Sequence, residues 1–188
     1  MPVGFAARQS RTIGALMMRE MMTRFGRRGL GFLWLVGEPL MFCLGVIVMW
    51  NIIKPEYEHG VRIGPFLMTG YMSIVLLRHQ INFSLSALQA NTGLLYHRHV
   101  SVLQLFIARN LLEIAGATLA FVIIYVILGA LGQVGWPHDI LLVYAGWGIL
   151  AFMGFGTALV LAGLALRFEV MERIVPLLTY MLIPIAGV

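Results

Sequence analysis

Long apolar runs separated by short polar links constrain this chain more than any other feature. A run of about 18 or more apolar residues predicts an α-helix that spans a bilayer, because a helix satisfies its backbone hydrogen bonds without water. The predicted spans are 30–53, 63–88, 102–131, 140–166 and an incomplete one at 174–188. The last run forms a helix of about 22 Å, shorter than the ~30 Å hydrocarbon core. It is therefore expected to be re-entrant, or the sequence is a fragment of a longer protein.

Composition supports the same class. Of the 188 residues, 60% are hydrophobic and 11% are charged, whereas a soluble domain usually carries about 25% charged residues. We predict an all-α polytopic membrane protein with two regions, a basic cytoplasmic arm over residues 1–29 and a transmembrane domain over residues 30–188.

The arm sets the predicted orientation. Residues 1–30 hold six arginines against one acidic residue, Glu20. Basic residues that flank the first span favour the cytoplasmic side and anionic lipid. With the N-terminus inside, the loop arginines at 98, 167 and 173 also face the cytoplasm. Nucleic acid is an unsuitable partner, because no basic face of a soluble domain is present to bind it.

The segment 11–28 is predicted to be an amphipathic helix on the membrane surface. On a helical wheel its apolar half holds one isoleucine, one phenylalanine and four methionines, and Leu16 is an exception to the pattern. Arg19, Glu20, Thr23 and Arg27 occupy the polar half. A strong apolar face opposite arginines is typical of interfacial helices.

Charged residues inside the spans need a physical reason, since burying charge in lipid is costly. Glu38 precedes Pro39, which can kink the helix. The carboxylate is expected to line a pathway or pair with an arginine of the arm, or to sit in the headgroup zone. Arg78 is expected to snorkel to the cytoplasmic interface or to line the pathway. Arg109 and Glu113, four residues apart, are expected to pair on one helix face.

Small and aromatic residues suggest how the helices pack. Gly154, Ala158 and Ala162 form a smooth stripe for close packing in the fourth span. Trp34 and Trp50, near opposite ends of the first span, fit interfacial anchors, and would also suit stacking on sugar rings.

Motifs for covalent chemistry are absent from the 188 residues. There is no G-x-x-x-x-G-K-[ST], so ATP and its magnesium are expected to bind to another polypeptide. No cofactor and no metal site is expected on this chain. The alternate histidines at 97 and 99 would point apart on a helix, and Cys43 is a single buried hydrophobe.

Two segments carry a resemblance to a known family. The first is Arg19-Glu20-Met21-Met22-Thr23-Arg24-Phe25-Gly26, continued by Leu30-Gly31-Phe32-Leu33-Trp34 and Glu38-Pro39. The second is Gln89 to Arg98, continued by Ile107 to Glu113. A weaker match covers Leu182 to Gly187. These segments resemble capsular polysaccharide and O-antigen export permeases, the membrane subunits of type-2 ABC exporters in the bacterial inner membrane.

The resemblance implies six spans, a homodimer of permeases and two ATP-binding subunits. It also implies a polysaccharide substrate, with or without an attached lipid, that passes between the two permeases. It implies a gate helix on the membrane surface that includes Arg19, Glu20, Arg24, Phe25 and Arg27. It also implies a loop that couples to the ATP-binding subunit, and the residues expected there are Asn91, Gly93, Leu94, Tyr96 and Arg98. The candidates for the conduit lining are Trp34, Glu38, Pro39 and Arg78.

Other functions stay open at this point. An exporter of a drug or lipid would use the same mechanics, and neighbouring glycosyltransferase genes would separate it from a polysaccharide exporter. An intramembrane acyltransferase would need His79 or His97 near an acid and a lipid-facing cleft. Export that survives His79→Ala and His97→Ala would exclude that enzyme. A membrane scaffold would co-purify without an ATPase.

Overall fold

The computed structural model describes residues 5–25, 31–53, 57–58, 60–87, 91 and 100–185. Over these residues the chain forms six α-helices and one short hairpin. The helices are α1 (Phe5–Phe25), α2 (Gly31–Ile53), α3 (Ile63–Leu85), α4 (Val102–Ala130), α5 (Ile140–Arg167) and α6 (Val170–Ile185). The strands β1 (Tyr57–Glu58) and β2 (Val61–Arg62) pair antiparallel between α2 and α3. The predicted all-α class is confirmed, and the hairpin is a small addition to it.

The helix boundaries follow local signals in the sequence. Ser101 caps α4 in a reciprocal pair of hydrogen bonds with Gln104, a capping box. The Asp139 carboxylate accepts from the backbone N–H of Leu142 at 3.1 Å and begins α5. Between β1 and β2, Gly60 has a φ of 81°, which a glycine adopts at little cost in a tight turn.

Within the residues that the structure describes, three helices are long and apolar enough to cross a membrane, and they cover Leu33–Ile53, Val102–Ala130 and Ile140–Arg167. Helices α3 and α2 have 23 residues each, but α3 is less apolar. It packs against α2, α4, α5 and α6 at the centre of the bundle, where its polar side chains contact other helices. Helix α6 has 16 residues and lies beside α3 and α5. The full number of spans stays a prediction.

The outer faces of the bundle are apolar, as a lipid environment requires. Large hydrophobic side chains are exposed along α2 and α5, among them Ile52, Leu141 and Phe152. The interior holds a core of side chains from α2, α3 and α4, in which Cys43 is fully buried as expected. Contiguous exposed apolar surface of this extent marks a membrane or protein contact. The chain is therefore a polytopic protein of the membrane.

The stripe predicted on α5 is confirmed. Gly154, Ala158 and Ala162 are all buried, and the Gln80 amide of α3 donates to the carbonyl of Ala151 at 3.0 Å. A Cβ at Gly154 would overlap the side-chain amide of Gln80. Small residues thus let α3 and α5 approach closely enough for a buried side chain to bond a helix backbone.

A second close approach joins α2 and α4. A Cβ added at Gly116 would lie 2.7 Å from Leu35 Cγ and 2.9 Å from the Leu35 carbonyl oxygen. The Leu35 carbonyl is part of the α2 backbone, so it could relieve this overlap only if the whole helix moved.

We expect Gly116→Ala to lower the free energy of unfolding of the detergent-solubilised protein by about 1–3 kcal/mol, the usual cost of overpacking. The unfolding midpoint should fall accordingly. Gly129→Ala on the same helix is the matched control, because a Cβ there has only the Val134 carbonyl oxygen near it, at 4.0 Å. Thermal unfolding followed by size-exclusion chromatography measures both variants. Equal midpoints for the two would contradict the close packing of α2 on α4.

Candidate functional site

Ionisable side chains from four helices converge at one end of the bundle. Glu38 lies near the start of α2, His79 near the end of α3, and Arg109 and Glu113 in the first half of α4. In an up-and-down bundle the start of one helix lies beside the end of its neighbour, so these positions share a level. Helix α1 packs across α2 and α4 at this end. It contributes further charges to the same place.

We use the term ionic cluster for Glu20, Arg24, His79, Arg109 and Glu113. Arg24 Nη1 lies 2.5 Å from Glu113 Oε1, and Arg109 Nε lies 3.1 Å from Glu20 Oε2. Arg24 Nε is also 3.5 Å from Glu20 Oε2. Two guanidinium groups and two carboxylates therefore neutralise each other between α1 and α4.

Histidine and aromatic contacts complete the cluster. His79 Nδ1 lies 3.2 Å from Glu113 Oε2, and His79 Nε2 lies 3.7 Å from Glu38 Oε1. The guanidinium of Arg24 stacks over the Phe83 ring at 4.0 Å, and Arg109 Nη1 donates to the Phe83 carbonyl at 2.6 Å. Glu20 and Glu113 are each 2% exposed. Charges buried this deeply are stable only while every partner is present.

Asn91 connects this cluster to the segment after α3. Its side-chain oxygen accepts from Arg19 Nη1 at 2.6 Å, and its amide nitrogen donates to Glu20 Oε1 at 3.1 Å and to the Ala87 carbonyl at 2.9 Å. Asn91 is buried. One side chain thus ties α1 to the end of α3, and any displacement of either element strains these bonds.

The structure corrects two expectations for these residues. Arg19 and Glu20 were expected on a polar, solvent-facing half of α1, but Glu20 and Leu16 are buried against the bundle while Met18 and Met22 are exposed. The reason is that α4 offers Arg109 as a partner, so the charged face packs inward. The expected pair between Arg109 and Glu113 is also wrong, because each of them binds α1 instead.

A signal for this arrangement was present in the sequence. Glu20 and Arg24 are four residues apart, and so are Arg109 and Glu113, in the opposite order of charge. Two such helix faces are complementary. Spacing alone did not show whether each pair would close on itself or across the two helices.

The conduit candidates fall in different environments. Glu38 has a side chain that is 43% exposed and pairs with His79, not with an arginine of the described arm. Pro39 is buried inside α2, which remains helical through it. Trp34 is exposed, whereas Trp50 packs against the core of α2, α3 and α4. Arg78 does not snorkel: it is 9% exposed and lies between two aromatic rings.

Several predicted site residues cannot be placed. Gly93, Leu94, Tyr96 and Arg98 of the coupling loop lie outside the described residues, as does Arg27 of the gate helix, and of Phe25 only the backbone is described. Among the described residues no group of three or more His, Cys, Asp or Glu side chains could hold a metal ion.

The fold and the cluster define a class: a polytopic α-helical membrane protein with a surface helix bound into its bundle by buried charges. Comparison with known proteins is more specific, and the chain belongs to the family of capsule polysaccharide export inner-membrane proteins, the capsular polysaccharide export permeases. It matches none of the protein-family models.

Three relatives illustrate this membership. The chain is 38% identical over 179 residues to the capsule polysaccharide export inner-membrane protein CtrC of Neisseria meningitidis serogroup B, and the match covers 95% of this chain and 68% of the relative. It is 37% identical to the protein BexB of Haemophilus influenzae over the same shares of both chains. The polysialic acid transport protein KpsM of Escherichia coli is 29% identical, over 90% of this chain and 66% of its own length.

Proposed function

We propose that this chain is the permease subunit of an ATP-driven exporter that moves a capsule-type polysaccharide from the cytoplasm to the periplasm. Two permeases and two ATP-binding subunits would form the working complex, with ATP and magnesium bound by the latter. The family supports the substrate class, since its named members export capsule polysaccharide or transport polysialic acid. The sequence contains no P-loop, which is consistent with a separate ATPase.

The observation that carries the mechanism is the set of bonds from Asn91 to Arg19 and Glu20. An exporter must transmit the closure of its ATPase to the membrane path. Asn91 begins the segment expected to contact the ATPase, and α1 rests on the starts of α2 and α4. A push on this segment would reach α1 through charge-assisted hydrogen bonds, and α1 would pass it to the bundle through the ionic cluster.

This transmission requires an element with two arrangements. The ionic cluster suits that role, because the cost of breaking one of its pairs is high unless a new partner is reached at once. Movement of α1 would therefore occur as a step between two paired arrangements, rather than as a continuous drift.

The test has two measurements. The permease, expressed together with its proposed ATP-binding partner, is expected to purify as a two-plus-two complex. Tyr96→Ala/Arg98→Ala is expected to keep that ATPase active while export falls at least about tenfold, because the contact that carries force is lost. Surface polysaccharide and ATP hydrolysis are measured in the same strain. A permease that purifies alone, or unchanged export in the double variant, would contradict this proposal.

The enzyme alternative has less support. His79 does lie within reach of an acid, Glu113. Its side chain is only 7% exposed, however, and it is enclosed by the ionic cluster. A lipid substrate would have to displace α1 to reach it.

A further inference from the structure

Arg78 differs from Arg24 and Arg109, the two arginines of the ionic cluster. Arg24 and Arg109 each contact a carboxylate within 3.1 Å. Arg78 is also buried, at 9% exposed, yet within the described part of the chain no carboxylate lies within 4.0 Å of it and no hydrogen bond to it is formed. A cation this deep in a bundle is unfavourable without a counter-charge.

Two aromatic rings hold the guanidinium in place. Its central carbon lies 4.8 Å from the Tyr180 ring centre on α6 and 5.6 Å from the Phe42 ring centre on α2. Each such cation–π contact is weaker than a charge-assisted pair with a carboxylate. These contacts are too weak to replace a counter-ion. The rings orient the planar group and leave its N–H donors free for another acceptor.

A cavity of about 140 Å³ borders this arginine, between α3, α5 and α6. Its wall exposes only apolar atoms, because the Thr157 hydroxyl donates to the Gly154 carbonyl and the Thr179 hydroxyl to Asn82 Oδ1 and the Pro176 carbonyl. Ligand pockets usually measure about 300–1,000 Å³, so this cavity fits one substituent and not a whole molecule. Tyr180 is 56% exposed and stands at the bundle surface, so a long ligand could pass outside while one of its groups reaches Arg78.

We propose that Arg78, Phe42 and Tyr180 form a binding site for the carboxylate-bearing sugars of an acidic polysaccharide. This rests on the proposed function of polysaccharide export. A guanidinium beside two aromatic rings complements such a sugar. Its paired N–H donors can bind the two carboxylate oxygens, and the rings offer apolar faces to the carbons of the sugar ring. An anionic lipid headgroup would satisfy the charge but has no use for the two flanking faces.

The first test measures binding to the purified full-length permease in phosphatidylcholine nanodiscs. The probes are oligosialic acid and its carboxyl-reduced, neutral counterpart. The wild type is expected to bind the acidic probe at least about tenfold more tightly, and Arg78→Gln is expected to remove that preference, since a charge-assisted hydrogen bond contributes about 1.5–3 kcal/mol. Arg78→Lys should recover part of that preference, because lysine restores the positive charge but not the paired N–H donors of the guanidinium.

Controls address folding and the source of the anion. Arg167→Gln is the matched control, because Arg167 also lies near a ring, that of Phe168 at 5.9 Å, but is exposed at the end of α5. If Arg78→Gln does not fold, Tyr180→Leu replaces it as the test variant. Tyr180→Leu should weaken the binding of the acidic probe and leave the size-exclusion elution profile unchanged. Equal binding of both probes, or acidic binding that Arg78→Gln leaves intact, overturns the site.

Nanodiscs that contain phosphatidylglycerol test the lipid explanation. If that lipid abolishes acidic-probe binding in the wild type and binds in an Arg78-dependent way itself, the site is a lipid site and our proposal is wrong. Capsule export by the wild-type gene in a permease-deleted host is measured in parallel. No export there contradicts the proposed function, whereas export without any preference for the acidic probe overturns the anion site alone.

Discussion

Glu113→Gln is expected to destabilise the folded permease by about 3–5 kcal/mol, the usual cost of removing one member of a buried ion pair. Glu113 is the partner of both Arg24 and His79, so its loss leaves Arg24 with Glu20, at 3.5 Å, as its one carboxylate partner among the described residues. Because folded proteins have a net stability of about 5–15 kcal/mol, this loss is a large share of the total and should lower the yield of folded protein on extraction. Yield after size-exclusion chromatography and the unfolding midpoint measure the effect.

A double variant distinguishes loss of pairing from loss of shape. Arg24→Met/Glu113→Leu removes both charges of the pair and leaves Glu20 paired with Arg109. It should regain most of the stability that Glu113→Gln loses, because apolar replacements of a whole buried pair are often nearly neutral. Glu169→Gln, an exposed residue between α5 and α6, is the matched control. A double variant as unstable as the single one would show that the charges do not compensate each other.

Asn91→Leu is expected to reduce export at least about tenfold while the protein stays folded and its ATPase partner stays active. The substitution removes the bonds to Arg19 and Glu20, but Glu20 keeps Arg109 as its counter-ion. The link between α1 and the segment after α3 is therefore lost, and the ionic cluster is kept. Surface polysaccharide and ATP hydrolysis in the same cells give the two quantities.

Asn51→Leu is the matched control for that experiment. Asn51 also donates its amide to a carbonyl four residues earlier, that of Ile47 at 2.8 Å, just as Asn91 donates to Ala87 at 2.9 Å. It lies at the opposite end of the bundle and has no bond to α1 among the described contacts. Export that falls equally in both variants would mean that the loss reflects a general defect and not the link through Asn91.

Much of the architecture could be predicted from the sequence, because bilayer physics acts on the chain residue by residue. The apolar runs at 30–53, 102–131 and 140–166 correspond to α2, α4 and α5 within one residue at each end. The stripe of small residues on α5 was also correctly assigned, since close packing depends on side-chain size alone. The predicted start of the last run at 174 was late, because α6 begins at Val170 with a polar first turn.

The candidate site was only partly predictable. Arg19, Glu20 and Arg24 were assigned to a surface helix, with Arg19 and Glu20 on its polar half. The burial of Glu20 depends on which helix lies beside α1, and no local pattern carries that information. Asn91 was expected to contact an ATPase, and its bonds to Arg19 and Glu20 join residues more than 70 positions apart. The functions of Gly93, Leu94, Tyr96 and Arg98 stay predictions.

The sequence by itself therefore determined that this is a helical membrane protein with a basic arm, because hydrophobic length and charge bias are local quantities. Only the tertiary structure decided how the buried charges are shared. Glu113 could have paired with Arg109 on its own helix, yet the packing of α1 gave each a closer partner. The same packing left Arg78 beside Phe42 and Tyr180 with no carboxylate near it in the described part of the chain, because pairing energies depend on distances between helices that no sequence spacing fixes.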